Sequence, residues 1–224
     1  MPGEESRGLS DESPAVPVVY LARHGETASN VARRYAGASS EPLTARGREE
    51  MGRLALRLQG AGISQVWTSE IARALESAEV LARALGADVV SDPRLNEMRM
   101  GPWEGLTEDE VAAKYPADYR VWMTRPDELK LEGRETLDVL ARRVLPVVSA
   151  ALESRKAVVM VTHVAPMRVA ALKAMGLGLR LYKRVQVRNA ECFQVTDHTG
   201  DVRRLGSAES LGSELAGDGD GQAR

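Results

Sequence analysis

Two of the three histidines in this chain directly follow apolar runs that are typical of buried strands. The run "VVYLAR" leads into His24, and "AVVMVT" leads into His163. A strand that simply ends needs turn residues, and an arginine followed by a histidine adds a desolvation cost that folding does not require. A single histidine after a strand is more often structural than catalytic. Two of them at the carboxyl edge of one parallel sheet would face the same crevice, so we predict that His24 and His163 share a functional site.

Two arginines could supply positive charge to that crevice. Arg23 directly precedes His24, and Arg73 lies early in the helix predicted from "TSEIARALESAEVLA". The helix dipole disfavours a cation in the first turn, and a solvated surface arginine is as consistent with this position as a functional one. The functional alternative is an oxyanion site, because planar guanidinium donors match phosphate geometry and a helix N-terminus adds N–H groups.

A candidate proton donor follows the third predicted strand. Glu97 lies in "RLNEMRMGPWEGLT", between that strand and a Gly-Pro turn, and so could also reach the carboxyl edge of the sheet. A single loop glutamate is usually a solvated charge. In the company of two imidazoles and two guanidiniums, however, a carboxyl group would supply the general acid that the set otherwise lacks.

The composition is that of one globular domain with polar ends. Of the 224 residues, 43% are apolar and 28% are charged. We predict a single domain over residues 16–206, with disordered tails at residues 1–15 and 207–224, which are rich in Gly, Ser, Asp and Glu. The 30 basic and 32 acidic residues give a net charge of −2, which argues against a nucleic-acid partner. An anionic substrate would therefore have to be held by local positive charge.

The sequence favours a protein of the cytoplasm. Its longest aliphatic runs, such as "AVVMV", are too short to span a bilayer, and residues 1–15 lack the layout of a secretory signal. The single cysteine, Cys192, cannot form an intrachain disulfide. Since it lies in the apolar run "ECFQV", we predict a buried strand thiol rather than a nucleophile.

Apolar periodicity predicts alternating strands and helices, and hence an α/β fold in three layers, with a mostly parallel central sheet and helices on both faces. The predicted strands are Val18–Ala22, Ser64–Trp67, Val89–Ser91 and Ala157–Val161, followed by a hairpin, Glu191–Leu205, that turns at "DHTG" around His198. The predicted helices are Thr44–Leu58, Glu70–Ala84, Glu108–Tyr115, Thr136–Glu153 and Pro166–Met175. Thr44 is a suitable cap for the first of these helices.

These motifs resemble those of the histidine phosphatase superfamily, the phosphoglycerate mutase-like proteins. The signature of that family is Arg-His-Gly-(Glu or Gln)-(Thr or Ser) followed by an asparagine, and this chain reads "RHGETASN". The resemblance continues through "PLTARGREE", "TSEIARALESAEVLA", "LNEMRMGPWEGLT" and "VTHVAPMR", so it covers residues 18–205 in family order.

The resemblance implies a role for each candidate residue. His24 would be the nucleophile that takes the phosphoryl group, and Glu97 would be the general acid. The groups that would surround the phosphate are Arg23, Arg73, Asn30 and His163. The two guanidiniums would keep His24 neutral and stabilise the charge on the phosphoryl oxygens. Neither a cofactor nor a metal is expected, because the cationic side chains fill that role and the candidate metal ligands are too few.

Three further positions follow from the same motifs. Gly25 would let the backbone approach the anion, and Thr27 would cap the next short helix or donate to the substrate. Val164 stands where the family usually has a glycine, and its branched side chain would narrow the pocket around the substrate. A similar His-Val-x-Pro arrangement occurs in family members described as resembling α-ribazole phosphatase. Arg134 replaces a glycine of the family's Gly-Gly-Glu-Ser segment and would bring a charge near the mouth.

Three functions are compatible with these residues. The leading hypothesis is a phosphomonoesterase that acts on a small phosphorylated metabolite through a phosphohistidine. The second is a cofactor-dependent phosphoglycerate mutase, although such mutases usually carry a longer insertion than the 66 positions that separate Glu97 from His163. The third is an inactive binding protein on the same fold, which is disfavoured because the full set of reactive residues is present.

The substrate itself is not predicted. Residues 33–41 and 100–134 would cover the pocket, and we call the second of these ranges the cover segment. Five arginines could bind a second anionic group, although each is by default a solvated charge: Arg33, Arg34, Arg99, Arg125 and Arg168. Three large side chains could line an apolar mouth or pack in the core: Met100, Trp103 and Trp122. A homodimer is compatible with the sequence, and no membrane partner is expected.

Overall fold

The computed structural model describes residues 18–196 and 200–217. The tail predicted for residues 1–15 lies outside these ranges, as does His198 in the hairpin turn. The strands are β1 (Val18–Arg23), β2 (Gln65–Thr68), β3 (Asp88–Ser91), β4 (Val158–Thr162), β5 (Cys192–Thr196) and β6 (Val202–Arg204). They form one sheet in the order β3-β2-β4-β1-β5-β6. The strands from β3 to β1 are parallel, and β5 and β6 add an antiparallel edge.

Helices connect and cover these strands within the described ranges. They are α1 (Ala28–Val31), α2 (Ala45–Leu58), α3 (Ala72–Leu85), α4 (Glu108–Lys114), α5 (Pro116–Thr124), α6 (Leu137–Glu153), α7 (Val164–Ala174) and α8 (Leu211–Gly217). None of them is long and apolar enough to cross a membrane.

The sheet has a hydrophobic core on each face. Alternate side chains of a strand point to opposite faces, so Val19 and Leu21 join the core that includes α6 and α7, whereas Tyr20 and Ala22 join the core that includes α2 and α3. β4 lies at the centre of the sheet and is buried at every position, as expected for a parallel strand covered on both faces. The predicted three-layer α/β architecture is confirmed.

The predicted helices and strands all occur, with ends shifted by at most two residues. Helix α2 shows why a capping residue and an apolar stripe are sufficient to predict a helix from the sequence. Thr44 caps this helix by accepting a hydrogen bond from the Gly47 N–H, at 3.0 Å. The apolar stripe of α2 is buried against the sheet, since it recurs at spacings of three and four residues: Met51, Leu54, Ala55 and Leu58.

Two helices were not predicted. Helix α5 in the cover segment is short and begins at Pro116, so its sequence resembles a loop. Helix α8 lies in the range 207–224, for which we predict a disordered tail, and that prediction is wrong for residues 211–217. Leu211 and Leu215 are one helical turn apart and are buried in the main core, while Glu214 pairs with Arg204 at 3.0 Å. Residues 218–224 lie outside the described ranges.

The burial of Cys192 agrees with the sequence prediction. It begins β5 and is buried, and burial raises the pKa of its thiol to about 12. A thiol with so high a pKa is protonated at neutral pH and is a poor nucleophile. The prediction of a buried strand thiol is confirmed.

Candidate active site

The candidate site lies where three neighbouring parallel strands end. β1, β4 and β2 are followed directly by His24, His163 and Ser69. The pairing of β1 with β4 places Arg23 beside Thr162, and the His24 N–H donates to the Thr162 carbonyl at 3.0 Å. The structure thereby brings the two imidazoles together, with their ring centroids 5.1 Å apart and both rings buried.

The hydrogen bonds of His24 determine which ring nitrogen can react. Nδ1 lies 2.7 Å from the carbonyl oxygen of Gly25, which can only accept, so Nδ1 carries the proton. Nε2 therefore carries a lone pair and no proton, and this lone pair accepts a hydrogen bond from Nε of Arg73 at 3.2 Å. Burial lowers the pKa of His24 well below its usual value, and the charges of Arg23 and Arg73 lower it further. His24 is thus a neutral imidazole with an unprotonated Nε2, the form that a nucleophile requires.

Arg73 is a buried residue of the site rather than a solvated surface arginine. It lies in the first turn of α3 with 1% of its surface exposed. Its two terminal nitrogens donate to the carbonyl oxygens of Gly37 and Ser39, both at 2.8 Å. These carbonyls fix the guanidinium plane beside His24, and burial lowers the pKa of Arg73.

Arg23 is the second cation beside the imidazoles. Its Nη1 donates to the Val187 carbonyl at 3.1 Å, whereas its buried Nε has no partner among the described residues. Burial is the main reason that the pKa of Arg23 is lowered to about 10, still far above neutrality. A buried guanidinium beside a half-buried one is costly unless an anion compensates them, so this part of the site is suited to a phosphoryl group.

Glu97 carries the acidic group of the site. Its Oε1 accepts hydrogen bonds from the N–H groups of Met98 at 2.8 Å and Ala165 at 3.3 Å. Burial raises the pKa of Glu97, although these donors and the two arginines oppose the shift. A carboxyl with a raised pKa holds a proton to higher pH than an ordinary glutamate, as a general acid must.

A pair of residues on the far side of Glu97 holds its loop in place. Arg143 of α6 forms two hydrogen bonds with the buried carboxylate of Glu135, at 2.8 and 2.9 Å. The same guanidinium donates to the carbonyl oxygens of Arg94, Asn96 and Glu97, at 2.7, 2.8 and 3.2 Å. All five N–H donors of Arg143 are thus occupied, and helix α6 is tied directly to the loop that carries the acid.

A cavity of about 570 Å³ opens above these residues. Its inner end is lined by Arg23, His24, Arg73 and Glu97. Its outer part is lined by Asn30, by residues 32–37, by the start of α4, and by Val164 and Asn189. This volume is far larger than a phosphate group needs, so the outer part has room for the alcohol of a phosphomonoester.

Most of the charges around the outer part are already paired. Arg34 pairs with Glu110 at 2.9 Å, and Glu108 pairs with Lys183 at 2.9 Å. Arg33 lines the cavity, has a positive φ of 53°, and forms no ion pair within the described residues. Of the arginines considered for a second anion, Arg33 is therefore the one with a free guanidinium in this cavity.

The other candidates for the mouth lie elsewhere or are engaged. Arg168 stacks on Tyr182 and donates to the Val185 carbonyl at 2.7 Å, and Arg125 pairs with Glu128 at 2.8 Å. Arg99 lines a neighbouring cavity of about 480 Å³ that shares Glu97 with the first. Met100 does line the main cavity, whereas two of the large side chains are buried in the core: Trp103 and Trp122.

Arg134 does not lie near the mouth, and that prediction is wrong. Its guanidinium is buried, with its carbon 4.1 Å from the ring centre of Trp122 and 5.1 Å from that of Trp103. The long side chain runs inward because the two indole rings offer their π faces to the cation. Arg134 thus stabilises the packing of the cover segment and does not line the cavity.

Asn30 and Thr27 form a capping box at the start of α1. Thr27 is fully buried, and its hydroxyl donates to Glu41 at 2.7 Å, so it caps the helix and is not available to a substrate. The side-chain oxygen Oδ1 of Asn30 accepts a hydrogen bond from the Thr27 N–H at 3.2 Å. The side-chain nitrogen Nδ2 of Asn30 is left for a ligand in the cavity that this residue lines. Val164 begins α7 and lines the cavity, as its place after His163 predicts.

Gly25 is required for the packing of the chain backbone against helix α2. A Cβ at Gly25 would lie 2.3 Å from the carbonyl oxygen of Gly47 in α2, and a Cβ at Gly47 would lie 2.3 Å from the carbonyl oxygen of Glu26. The two glycines therefore let the loop after β1 pack directly on helix α2. This backbone contact is sufficient to require a glycine after His24, and the close approach of Gly25 to an anion stays a prediction.

We expect alanine to have opposite effects at two glycines of α2. Gly47→Ala should lower the free energy of unfolding by about 1–3 kcal/mol, because its methyl group meets backbone atoms that cannot move independently. Gly52→Ala is the matched control, since a Cβ there meets nothing within 4 Å. It should raise the free energy of unfolding by about 0.5–1 kcal/mol through helix propensity. Urea unfolding of both variants measures this, and stabilisation by Gly47→Ala would rule out the packing explanation.

Several residues of the site were not singled out from the sequence. Ser69 contacts His163, Asn189 lines the cavity, and Arg143 with Glu135 holds the acid loop. No single-residue signal distinguishes them from ordinary buried or surface side chains. Within residues 18–196 and 200–217, no group of three or more His, Cys, Asp or Glu side chains is arranged to hold a metal ion.

The sheet and the cluster at its carboxyl edge define an α/β enzyme of the phosphatase or mutase type. The chain belongs to the histidine phosphatase superfamily (branch 1), whose sequence profile matches residues 19–207. The family resemblance deduced from the motifs is thereby confirmed.

Similar proteins include both types of enzyme. The "probable phosphoglycerate mutase GpmB" of Proteus mirabilis is 32% identical over 183 residues, which are 79% of this chain and 83% of that protein. The structure of a mycobacterial glucosyl-3-phosphoglycerate phosphatase, complexed with VO3, has a TM-score of 0.73 at 25% identity, covering 80% of this chain and 90% of that one. The α-ribazole phosphatase of Shigella flexneri shares the fold, with a TM-score of 0.74 at 24% identity over 85% of this chain and 96% of that one.

Proposed function

We propose that this protein is a metal-independent phosphomonoesterase that hydrolyses a small phosphorylated metabolite through a phosphohistidine at His24. The observation that carries the proposal is the bare Nε2 of His24 beside the buried guanidinium of Arg73, at 3.2 Å. A neutral nitrogen nucleophile and an anion-binding group meet there at the inner end of a cavity. That combination suits attack on phosphorus.

In the first step, Nε2 of His24 attacks the phosphorus atom and forms an N–P bond as the ester O–P bond breaks. The leaving alkoxide takes the proton of Glu97, because burial raises the pKa of this carboxyl and so favours its protonated form. Arg23 and Arg73 face the phosphoryl oxygens and stabilise the negative charge on them. Asn30 and His163 add hydrogen-bond donors around the same oxygens.

In the second step, the same carboxyl group acts as a base. Glu97 is now ionised and takes a proton from a water molecule, whose oxygen attacks the phosphorus. The N–P bond breaks, inorganic phosphate leaves, and both His24 and Glu97 return to their starting protonation states. Each step thus requires the form of Glu97 that the previous one produces.

A phosphoglycerate mutase is the second candidate, because relatives named GpmB are described as probable mutases. A mutase must shield its phosphohistidine from water, usually with a long lid. The α-helices of the cover segment are short: α4 has seven residues and α5 has nine. The phosphatase proposal is therefore favoured, and an inactive binding protein is disfavoured because the candidate reactive residues are all present in the chain.

We expect a panel of phosphorylated metabolites to include esters that are hydrolysed to inorganic phosphate, with kcat/KM unchanged after treatment with EDTA. Isomerisation of 3-phosphoglycerate, with and without 2,3-bisphosphoglycerate, is measured in parallel as the matched test of the mutase. Strong stimulation of isomerisation by the bisphosphate would favour the mutase. Loss of phosphate release on chelation would contradict a metal-independent reaction.

A further inference from the structure

A buried serine contacts the second histidine of the site. Ser69 directly follows β2 and has no exposed surface. Its Oγ lies 2.7 Å from Nε2 of His163, and it accepts a hydrogen bond from the Ile71 N–H at 3.2 Å. These are the hydrogen bonds of the Ser69 hydroxyl within the described residues, so they decide where its proton lies.

Only one arrangement of protons gives a hydrogen-bond partner to the Ser69 hydroxyl, to Nε2 of His163 and to the Ile71 N–H. A serine hydroxyl donates one hydrogen bond and accepts up to two. If Nε2 of His163 carried a proton, the Ser69 oxygen would accept from both His163 and Ile71, and its own proton would be buried without an acceptor. If Ser69 instead donates to Nε2, the hydroxyl, the imidazole nitrogen and the Ile71 N–H are all paired.

The proton of a neutral His163 then lies on Nδ1. Nδ1 is buried and has no hydrogen-bond partner among the described residues, although the ring lies beside His24. A buried donor without a partner is unusual, and in a phosphoryl site an oxygen of the ligand is the natural acceptor. The neighbouring cations make such an anionic acceptor favourable.

We propose that Ser69 is a positioning residue: it donates to Nε2 of His163, holds that imidazole in its Nδ1–H tautomer, and so presents the Nδ1–H to an oxygen of the phosphoryl group at His24. The last part of this inference rests on the proposed function. The first two parts concern the protein alone and are tested without a substrate.

The charge state of His163 makes the tautomer important. Burial lowers its pKa well below the usual value, and the charges of Arg73 and Arg23 act in the same direction. The ring is therefore neutral at pH 7. An imidazolium would donate from both nitrogens whatever Ser69 did, whereas a neutral ring donates from one nitrogen only.

The two histidines thus share one tautomer and use it in opposite ways. His24 donates its Nδ1–H to the Gly25 carbonyl and leaves Nε2 bare for phosphorus. His163 accepts at Nε2 from Ser69 and leaves Nδ1–H for oxygen. Exchange of the tautomer at His163 would turn a lone pair toward the negative phosphoryl oxygens, which would repel them in the transition state.

The tautomer can be measured directly by NMR on the protein labelled with ¹⁵N-histidine. The chain has three histidines, so the spectrum of ring nitrogens is simple, and the signals of His163 are identified by their loss in His163→Gln. At pH 7.5 we expect a proton on Nδ1 of His163 and a bare Nε2. Inorganic phosphate should shift the Nδ1–H proton resonance. A proton on Nε2 in the unaltered protein would overturn the proposal.

Substitutions of Ser69 test whether the serine causes this tautomer. Ser69→Ala should lower the ratio of the Nδ1–H to the Nε2–H form by about tenfold, and Ser69→Thr, which keeps the hydroxyl, should restore it. Ser77→Ala is the matched control for the tautomer, because this buried serine contacts backbone groups of Gly25 and Arg73 and not His163. A ratio within twofold of the original in Ser69→Ala, or an Nε2–H form in Ser69→Thr, would contradict the proposal.

Kinetics separate positioning from a general loss of structure. We expect Ser69→Ala to lower kcat by about 10- to 100-fold with KM changed less than about threefold, since the lost interaction strengthens in the transition state. Thr at this position should recover kcat to within about fivefold. If no phosphomonoester is hydrolysed but the tautomer is as expected, the proposed function fails and the assignment of Ser69 stands. If hydrolysis occurs with the proton on Nε2, the function stands and this inference fails.

Discussion

His24→Ala is expected to lower phosphatase activity by about 10⁴-fold or more, the scale of effect seen when a covalent nucleophile is removed. The physical reason is that Nε2 of His24 is an unprotonated imidazole nitrogen beside Arg73, on a residue that lines the inner end of the cavity. Brief incubation with a substrate carrying a labelled phosphoryl group, followed by denaturation, should leave label on the unaltered protein. A phosphohistidine survives alkali and is lost in acid, and His24→Ala should carry no such label.

His198→Ala is the control for this experiment. It removes a histidine that the proposed reaction does not use, so both labelling and turnover should persist. Label of the same acid-sensitive type on His24→Ala would place the nucleophile elsewhere. Acid-stable label on the unaltered protein would contradict a phosphohistidine altogether.

Glu97→Gln is expected to slow the hydrolysis of alkyl esters by about 100-fold or more, a typical contribution of a general acid. The loss with p-nitrophenyl phosphate should be below about tenfold, because that leaving group departs without a proton. Glu132→Gln, on an exposed loop glutamate, is the matched control and should leave both rates unchanged. Equal losses on both esters would remove Glu97 from the role of acid.

Glu97→Gln should also remove one limb of the pH profile of kcat/KM and leave the other limb in place. The pKa of Glu97 is raised by burial, so kcat/KM for an alkyl ester falls as pH rises through that pKa and the acid loses its proton. The pKa of His24 is lowered, so kcat/KM falls as pH drops through that value and the nucleophile becomes protonated. Glu97→Gln should therefore abolish the alkaline limb and keep the acidic one. Persistence of the alkaline limb would assign it to another group.

The layered fold could be predicted because its causes are local. The stripe of Met51, Leu54 and Leu58 and the cap at Thr44 specify helix α2 within its own sequence. The apolar run of β4 and the helices on either side of it require a covered parallel sheet. Since ligands bind at the carboxyl ends of such strands, His24 and His163 could be assigned to one crevice from their places in the chain.

What could not be predicted depends on contacts between distant residues. An arginine such as Arg134 is expected at the surface. It is buried here because Trp103 and Trp122, which are distant in sequence, pack together and contact its guanidinium. The roles of Ser69 and Gly25 likewise depend on His163 and Gly47, which lie far along the chain. Helix α8 is not predicted because residues 207–224 are mostly small and polar, a composition typical of a disordered tail. Only the folded core shows that Leu211 and Leu215 have a site in which to be buried.

The ends of the cover segment are joined to each other beside the acid. The Glu135 N–H donates to the Arg99 carbonyl at 2.9 Å, and a bridge pairs Met100 with Arg134. The two ends of the cover segment thus meet at one point, which Arg143 anchors through Glu135. Loop closure is already secured there, so a change of length between these ends need not displace Glu97. If the protein is the phosphatase proposed above, the cover segment can vary during evolution and alter which alcohols are accepted, while the residues at the inner end of the cavity stay constant.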